Sequence, residues 1–206
     1  MKKIIVCLLL MLVMSGCSYK GASLLGGRKD EATGKTEGVR IDMKSQSLKN
    51  LPGELFGRDN VISFDVSNNL LTGALPSEIG KWKKLTLLDV SDNKMTGIPA
   101  EIGQLTELSS LDYSNNMLDT MPNEIVGLKK LKTFSLAGNL YRDVPSQLLQ
   151  MPNLGLLDLS RNKLAVLPED LSGWKNLRVL IVGGNPLSAT DLSRLKKSLP
   201  DTQVVY

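Results

Sequence analysis

The sequence predicts an α/β solenoid, with short parallel strands stacked turn upon turn along a concave face and a helical cap at the C-terminal end. Three observations predict it. One pattern of alternating apolar residues followed by asparagine recurs at a nearly fixed period. Within each copy the alternation is that of a half-buried strand. The composition, 42% hydrophobic and 22% charged over 206 residues, suits one globular domain with short extensions.

The first segment reads as an address. Lys2 and Lys3 precede ten unbroken apolar residues, Ile4 to Val13, and then Met14-Ser15-Gly16-Cys17. A charged start, a short apolar run and small residues at a cut are the parts of a secretory signal. A membrane-spanning helix needs roughly 20 apolar residues, so the run is too short to cross a bilayer. The ending resembles the lipobox of bacterial lipoproteins, with Met14 where leucine is commoner. That resemblance implies removal of residues 1–16 and acylation of Cys17 as the new N-terminus; ordinary secretion with cleavage near Gly16 is the other reading. Two or three acyl chains anchor durably where one is marginal. Ser18 in place of aspartate implies the outer membrane if the cell has two. Cys7 fills the apolar run and leaves with it.

Residues 17–38 read as a lipidated N-terminus and flexible linker. Gly21, Gly26, Gly27, Gly34 and Gly38 lie among mixed charges, with no apolar periodicity to offset the entropy of ordering. A flexible chain of about 20 residues reaches roughly 25 Å. Ala22-Ser23-Leu24-Leu25 is an apolar exception that could dock on the open N-terminal edge of the solenoid.

Residues 39–187 hold seven turns. Phe64-Asp65-Val66-Ser67-Asn68-Asn69-Leu70-Leu71 is one copy and Leu88-Asp89-Val90-Ser91-Asp92-Asn93-Lys94-Met95 the next; others begin at Leu111, Phe134, Leu157 and Leu180, with a weaker one at Ile41. The polar landmark falls at Gln46, Asn69, Asn93, Asn116, Asn139, Asn162 and Asn185, at spacings of 23, 24, 23, 23, 23 and 23. An amide side chain where the chain turns inward can satisfy buried backbone groups of adjacent turns. Gln46 departs from asparagine in the first turn, where one side is open. Thr106 to Leu118 shows the motif nearly whole, and Pro52, Pro76, Pro99, Pro122, Pro145 and Pro168 follow their copies. These residues resemble the 23-residue type of the leucine-rich-repeat family, which implies a right-handed solenoid. Proline is expected to stop any helix and fix a tight return.

Trp82 and Trp174 align with Leu105, Leu128 and Met151 on the returning side, either as core filler or as an aromatic contact site. Arg58 is a misfit in that column, relieved by nearby Phe56. Residues 188–206 read as a cap. Ser188-Ala189-Thr190-Asp191 is a helix start of capping-box type, Leu192, Leu195 and Leu199 share one face, and Pro200 ends it. Val204-Val205-Tyr206 would add a last strand.

The residues between the strand leucines should face the concave surface. The central column is Asp42, Asp65, Asp89, Asp112, Ser135, Asp158, Ile181; the column before it includes Leu87, Leu156 and Val179. Carboxylates on neighbouring strands would lie about 5 Å apart. Acid–base chemistry, stacked oxygens for Ca²⁺, a solvated consensus surface and a mildly acidic partner-binding face are the competing readings. Leu156, Val179 and Ile181 form an apolar patch, for contact or for shielding by the tail. Lysines and arginines at 81, 83, 84, 129, 130, 132, 175, 178, 194, 196 and 197 fall outside the strands, as a solvated face or one for anionic lipid or polymer.

The composition removes several function classes. Removing Lys2 and Lys3 leaves 23 basic against 21 acidic residues, too balanced for nucleic acid, and aromatics are only 4%. Histidine, the commonest general base and metal ligand, is absent. No cysteine follows Cys17, which excludes the catalytic thiol of the ubiquitin-ligase domains that follow some bacterial repeats. No cofactor, metal or catalytic residue is expected. The expected function is a monomeric, lipid-anchored envelope protein that binds a protein partner through Asp42, Asp65, Leu87, Asp89, Asp112, Leu156, Asp158, Val179 and Ile181. The alternative is a surface adhesin or structural protein gripping glycan or host surface.

Overall fold

The structure is a computed structural model and describes residues 38–174 and 176–206. The signal segment, Cys17, nearly all of the linker and Lys175 lie outside the described residues. One residue of each turn's alternating run faces inward while its neighbours face out, and stacking pairs the runs side by side. The result is an eight-stranded, all-parallel sheet. Its strands are β1 (Val39–Asp42), β2 (Val61–Asp65), β4 (Leu87–Asp89), β6 (Ser110–Asp112), β7 (Thr133–Ser135), β8 (Leu156–Asp158), β9 (Val179–Ile181) and β10 (Gln203–Val205). Two short strands, β3 (Thr72–Gly73) and β5 (Lys94–Met95), pair on the neighbouring side of the second and third turns.

The returning side is built from 3₁₀ turns at Gly53–Gly57, Ser77–Lys81, Ala100–Gln104, Asn123–Gly127, Ser146–Gln150 and Ser172–Trp174. Here the expected role of proline is corrected. Pro52, Pro76, Pro99, Pro122 and Pro145 do not end a helix; each precedes a 3₁₀ turn. Each proline carbonyl accepts the N–H three residues on. Proline serves there because its φ is already near that of a helix start and its missing N–H would have found no partner. The turns stack closely. A Cβ on Gly103 would lie 2.0 Å from the Glu124 carbonyl oxygen, so only glycine fits.

Between strands and return lies one apolar core. Phe64, Leu88, Leu111, Phe134, Leu157 and Leu180 from the strands meet Ile79, Ile102, Ile125 and Leu148 from the 3₁₀ turns. Trp82 and Trp174 are 2% and 1% exposed, which settles them as core. Trp82 stacks on Phe56 at 5.1 Å and meets Phe64 edge-on at 5.2 Å. Phe56 thereby fills the space that exposed Arg58 leaves.

Asparagines carry the polar half of the turn. Asn116 Nδ2 donates to the carbonyls of Val90, Tyr113 and Ser114 (3.0, 3.1 and 3.1 Å), and its Oδ1 accepts from the Met95 N–H at 2.9 Å. Asn69, Asn93, Asn139 and Asn162 repeat the arrangement. Asn185 bonds Leu159 and Val182 and accepts from Leu164. Gln46 takes the opposite part: it is exposed, and its own N–H donates to Asn69 Oδ1 at 3.0 Å. Just ahead of this ladder the chain turns through the left-handed region at Ser45, Asn68, Asp92, Asn115, Gly138, Arg161 and Gly184.

The C-terminal edge is closed by α1 (Ala189–Ser198) and β10. Ser188 Oγ accepts from the Asp191 N–H at 3.0 Å and donates to Asp191 Oδ2 at 2.6 Å, the reciprocal start that the sequence implies. Leu195 and Leu199 are buried beneath the helix. Arg194 bonds the carbonyls of Leu167 and Pro168, and so ties the cap to the turn beneath it.

Candidate functional site: the concave face

Because the strands are parallel and in register, side chains one residue either side of each buried leucine form straight columns. The central column runs Asp42, Asp65, Asp89, Asp112, Ser135, Asp158, Ile181, and Val205 of β10 extends it. The column before it runs Arg40, Ser63, Leu87, Ser110, Thr133, Leu156, Val179, Gln203. The first four aspartates, Leu87 and Val179 are half-buried, and Asp158 is 8% exposed. The floor between the aspartates is small and polar, with half-buried Ser63, Ser67, Ser110, Ser114, Thr133 and Ser160.

Each aspartate also closes its own turn. One oxygen accepts the N–H two residues on, and so closes the turn at the end of its own strand. Asp65 accepts from Ser67 N and Oγ (3.0 and 2.7 Å), and Asp89 from Ser91 N and Oγ (2.9 and 2.6 Å). Asp112 accepts from Ser114 N at 2.7 Å and Asp158 from Ser160 N at 2.8 Å. Asp42 accepts from Lys44 N at 3.2 Å, and the Lys44 ammonium lies 3.4 Å from Asp42 and 3.9 Å from Asp65. The signal was present as Asp-x-Ser in four turns. It was legible only once Asp-x-Ser is seen as a side-chain turn rather than as a surface pattern.

Burial raises the Asp89 carboxyl to about 6; the charge of Asp112 adds to the rise, and the Ser91 bonds oppose it. Burial also raises Asp112, against the bonds from Ser114. Among the described residues no three carboxylates converge as a metal site would require.

Of the two readings of the apolar patch, an open contact surface is corrected for Leu156 and Ile181, and shielding by the tail holds at Ile181. Leu156 and Ile181 are 8% and 6% exposed, and only Val179 is half open. For Ile181 the last strand explains it: Val205 pairs beside it and continues the sheet past that edge. Several of the basic residues outside the strands are engaged by neighbours on the solenoid itself. Lys83 bonds Gln104, Lys84 bonds Asn60, Lys130 pairs with Glu107 at 2.7 Å, and Lys196 lies over the Tyr206 ring. Lys132 and Arg178 remain exposed beside a groove that no sequence pattern marks.

A leucine-rich-repeat family model matches residues 83–141, and a second matches residues 60–82. Together with the stacked parallel strands and the asparagine ladder, this decides the fold. The domain is a leucine-rich-repeat solenoid. Similar solved structures agree. A leucine-rich-repeat protein of Leptospira interrogans is 30% identical, with a TM-score of 0.76 over 81% of this chain and 42% of that one. The ectodomain of the Arabidopsis thaliana receptor kinase GASSHO1/SCHENGEN3, solved with CASPARIAN STRIP INTEGRITY FACTOR 2, is 33% identical (TM-score 0.59; 67% of this chain, 17% of that one). The Arabidopsis receptor kinase HAESA, solved with a peptide hormone and a co-receptor, is 35% identical (TM-score 0.57; 67% and 24%). This chain thus spans less than half the length of each. No curated protein matches significantly. The leucine-rich-repeat fold is typically a binding scaffold, and no catalytic family is indicated.

Proposed function

We propose that this protein is a lipid-anchored lipoprotein of the cell envelope whose concave face binds a protein partner. The observation that carries the reading is the register-locked column of half-buried aspartates on a floor of serines and threonines. These side chains already hold bonds within their own turns, so a partner that docks on them immobilises little more. The structural neighbours GASSHO1/SCHENGEN3 and HAESA, each solved with a peptide or protein ligand, support a partner of that class. No helix among the described residues is long and apolar enough to cross a membrane, so attachment in this reading rests on acylated Cys17, with residues 18–38 as the tether. Ser18 favours the outer membrane where the cell has two.

Two experiments test the two halves. Cells given an alkyne fatty acid should label the wild-type protein and not Cys17→Ser, and the variant should leave the membrane fraction. Label retained in Cys17→Ser would end the anchoring reading. For binding, Asp65, Asp89 and Asp112 are changed together to asparagine, which keeps an oxygen for each turn N–H and removes the charge. A partner captured by wild type and lost from the folded triple variant supports the concave face. Equal capture by both places binding elsewhere.

A further inference from the structure

A groove of about 1010 Å³ lies along the edge where β7, β8 and β9 begin, with Lys132, Thr133, Leu156, Arg178, Val179 and Asp201 among its lining. Its character comes from the residues one step ahead of each strand. Thr86, Ser109 and Thr202 commit their hydroxyls to carbonyls of the turn before: Ile62 at 2.8 Å, Thr86 at 2.9 Å and Leu177 at 2.7 Å. The same position carries Lys132 ahead of β7, Gly155 ahead of β8 and Arg178 ahead of β9. Lys132 and Arg178 are exposed and make no ion pair or side-chain hydrogen bond among the described residues.

Gly155 is not required by the fold. Its φ is not in the left-handed region, and a Cβ there would meet only the Lys132 carbonyl oxygen, at an ordinary 3.6 Å. This sets it apart from Gly103, which packing demands. What Gly155 provides is a gap between two cations whose strands lie two spacings apart, about 10 Å. The backbone beneath is already paired: Gly155 and Leu156 N–H both donate to Lys132 O, and Arg178 and Val179 N–H to Gly155 O. A ligand is therefore recruited by side chains rather than by strand addition. Half-open Thr133 and Val179, with buried Leu156 between them, supply a partly apolar wall beside the cations.

We propose that this groove seats an extended segment of a protein partner, with one acidic side chain held between Lys132 and Arg178 above Gly155 and an apolar neighbour against Val179. Two cations facing a vacant gap match one carboxylate, which each can engage by a charge-assisted bond. Asp201 at the cap end of the groove repels a second acid there, so the fitting segment carries a single acidic residue and not a run of them. The inference rests on the reading of this domain as a protein-binding scaffold, and it names a surface outside the aspartate column.

The test uses the full-length chain in detergent micelles and fluorescence anisotropy. The probe is an N-acetylated, C-amidated nonapeptide of alternating valine and threonine with one central glutamate, beside its glutamine analogue. The glutamate peptide should bind saturably and at least about tenfold tighter than the analogue, the scale of one charged hydrogen bond. Lys132→Gln and Arg178→Gln should each weaken it about tenfold. Gly155→Met, which fills the gap with no change of charge, should abolish it, with all three variants melting as wild type does. Absence of saturable binding, equal affinity for the two peptides, or binding untouched by Gly155→Met would overturn the proposal. Displacement by millimolar inorganic phosphate as effective as by unlabelled peptide would overturn it too, since that marks a small-anion site. Asp65, Asp89 and Asp112 are untouched in these variants, so failure here is distinct from failure of the concave-face reading.

Discussion

Replacing Asn116 with alanine probes the asparagine ladder at mid-solenoid. The residue is 7% exposed. Its amide donates to three carbonyls, and each keeps a second donor. Val90 O still accepts from Asn93 Nδ2 at 3.2 Å, Tyr113 O from Asn139 Nδ2 at 2.9 Å, and Ser114 O from the Asp92 N–H at 2.9 Å. Met95 N–H is different: Asn116 Oδ1 is its acceptor, and its strand neighbours Lys94 and Thr96 are the residues that bond back to the turn before. The substitution therefore orphans one buried donor, at about 1–3 kcal/mol, and removes the packing of the amide, for a total of about 2–4 kcal/mol. Asn116→Asp keeps the shape but points an oxygen at three carbonyls. That carboxyl is held protonated, with a folded pKa above the unfolded value of about 3.9. The native state then binds more protons than the unfolded one, so the loss grows as pH rises above about 4 and shrinks as pH falls. Urea denaturation of the full-length chain, followed by circular dichroism, measures both. A loss below about 0.5 kcal/mol for Asn116→Ala, or no pH dependence for Asn116→Asp between pH 4 and 8, would show that Met95 N–H does not depend on Asn116. Gln46→Ala, at an exposed position, should change stability by less than about 0.5 kcal/mol.

Three further outcomes follow from the same geometry. Asp89→Asn should stabilise the protein by about 2–3 kcal/mol at pH 7.5. The folded Asp89 carboxyl titrates near 6, above its unfolded value, so its charge costs stability at neutral pH and costs nothing below about pH 4, where the gain should vanish in denaturation curves. Arg161→Gly should raise stability by about 0.5–1 kcal/mol in the same assay, because Arg161 sits at φ 54° while its counterparts Gly138 and Gly184 carry no Cβ. Gly103→Ala should lower the melting temperature, with a loss of about 2–3 kcal/mol, since its Cβ meets backbone that cannot move aside as a side chain would.

The sequence carried the fold to the level of register. The column Asp42, Asp65, Asp89, Asp112, Ser135, Asp158, Ile181 is paired residue for residue in the sheet, because a fixed repeat and a two-residue strand period leave one alignment. Features that depend on what a side chain bonds locally were harder to read. Asp65 and Asp89 looked like free surface acids, and are turn closures as well. Proline looked like a stop signal and is a start, because a 3₁₀ turn needs only one proline carbonyl and three residues to form. For Leu156 and Ile181 contact and shielding by the tail both stayed open, because a strand as short as Gln203 to Val205 carries too little pattern to show which edge it joins. The groove at Gly155 was invisible for another reason. An absent side chain marks no pattern until its neighbours, Lys132 and Arg178, are placed on either side of it.

Docking of partners on the concave face is tested by a photo-reactive residue placed, in intact cells, at Ser63 or Ser110 on that face, and at Glu124 on the returning side. A discrete protein adduct is expected from Ser63 and Ser110 and none from Glu124. Adducts from Glu124 alone, or from none of the three, would contradict it.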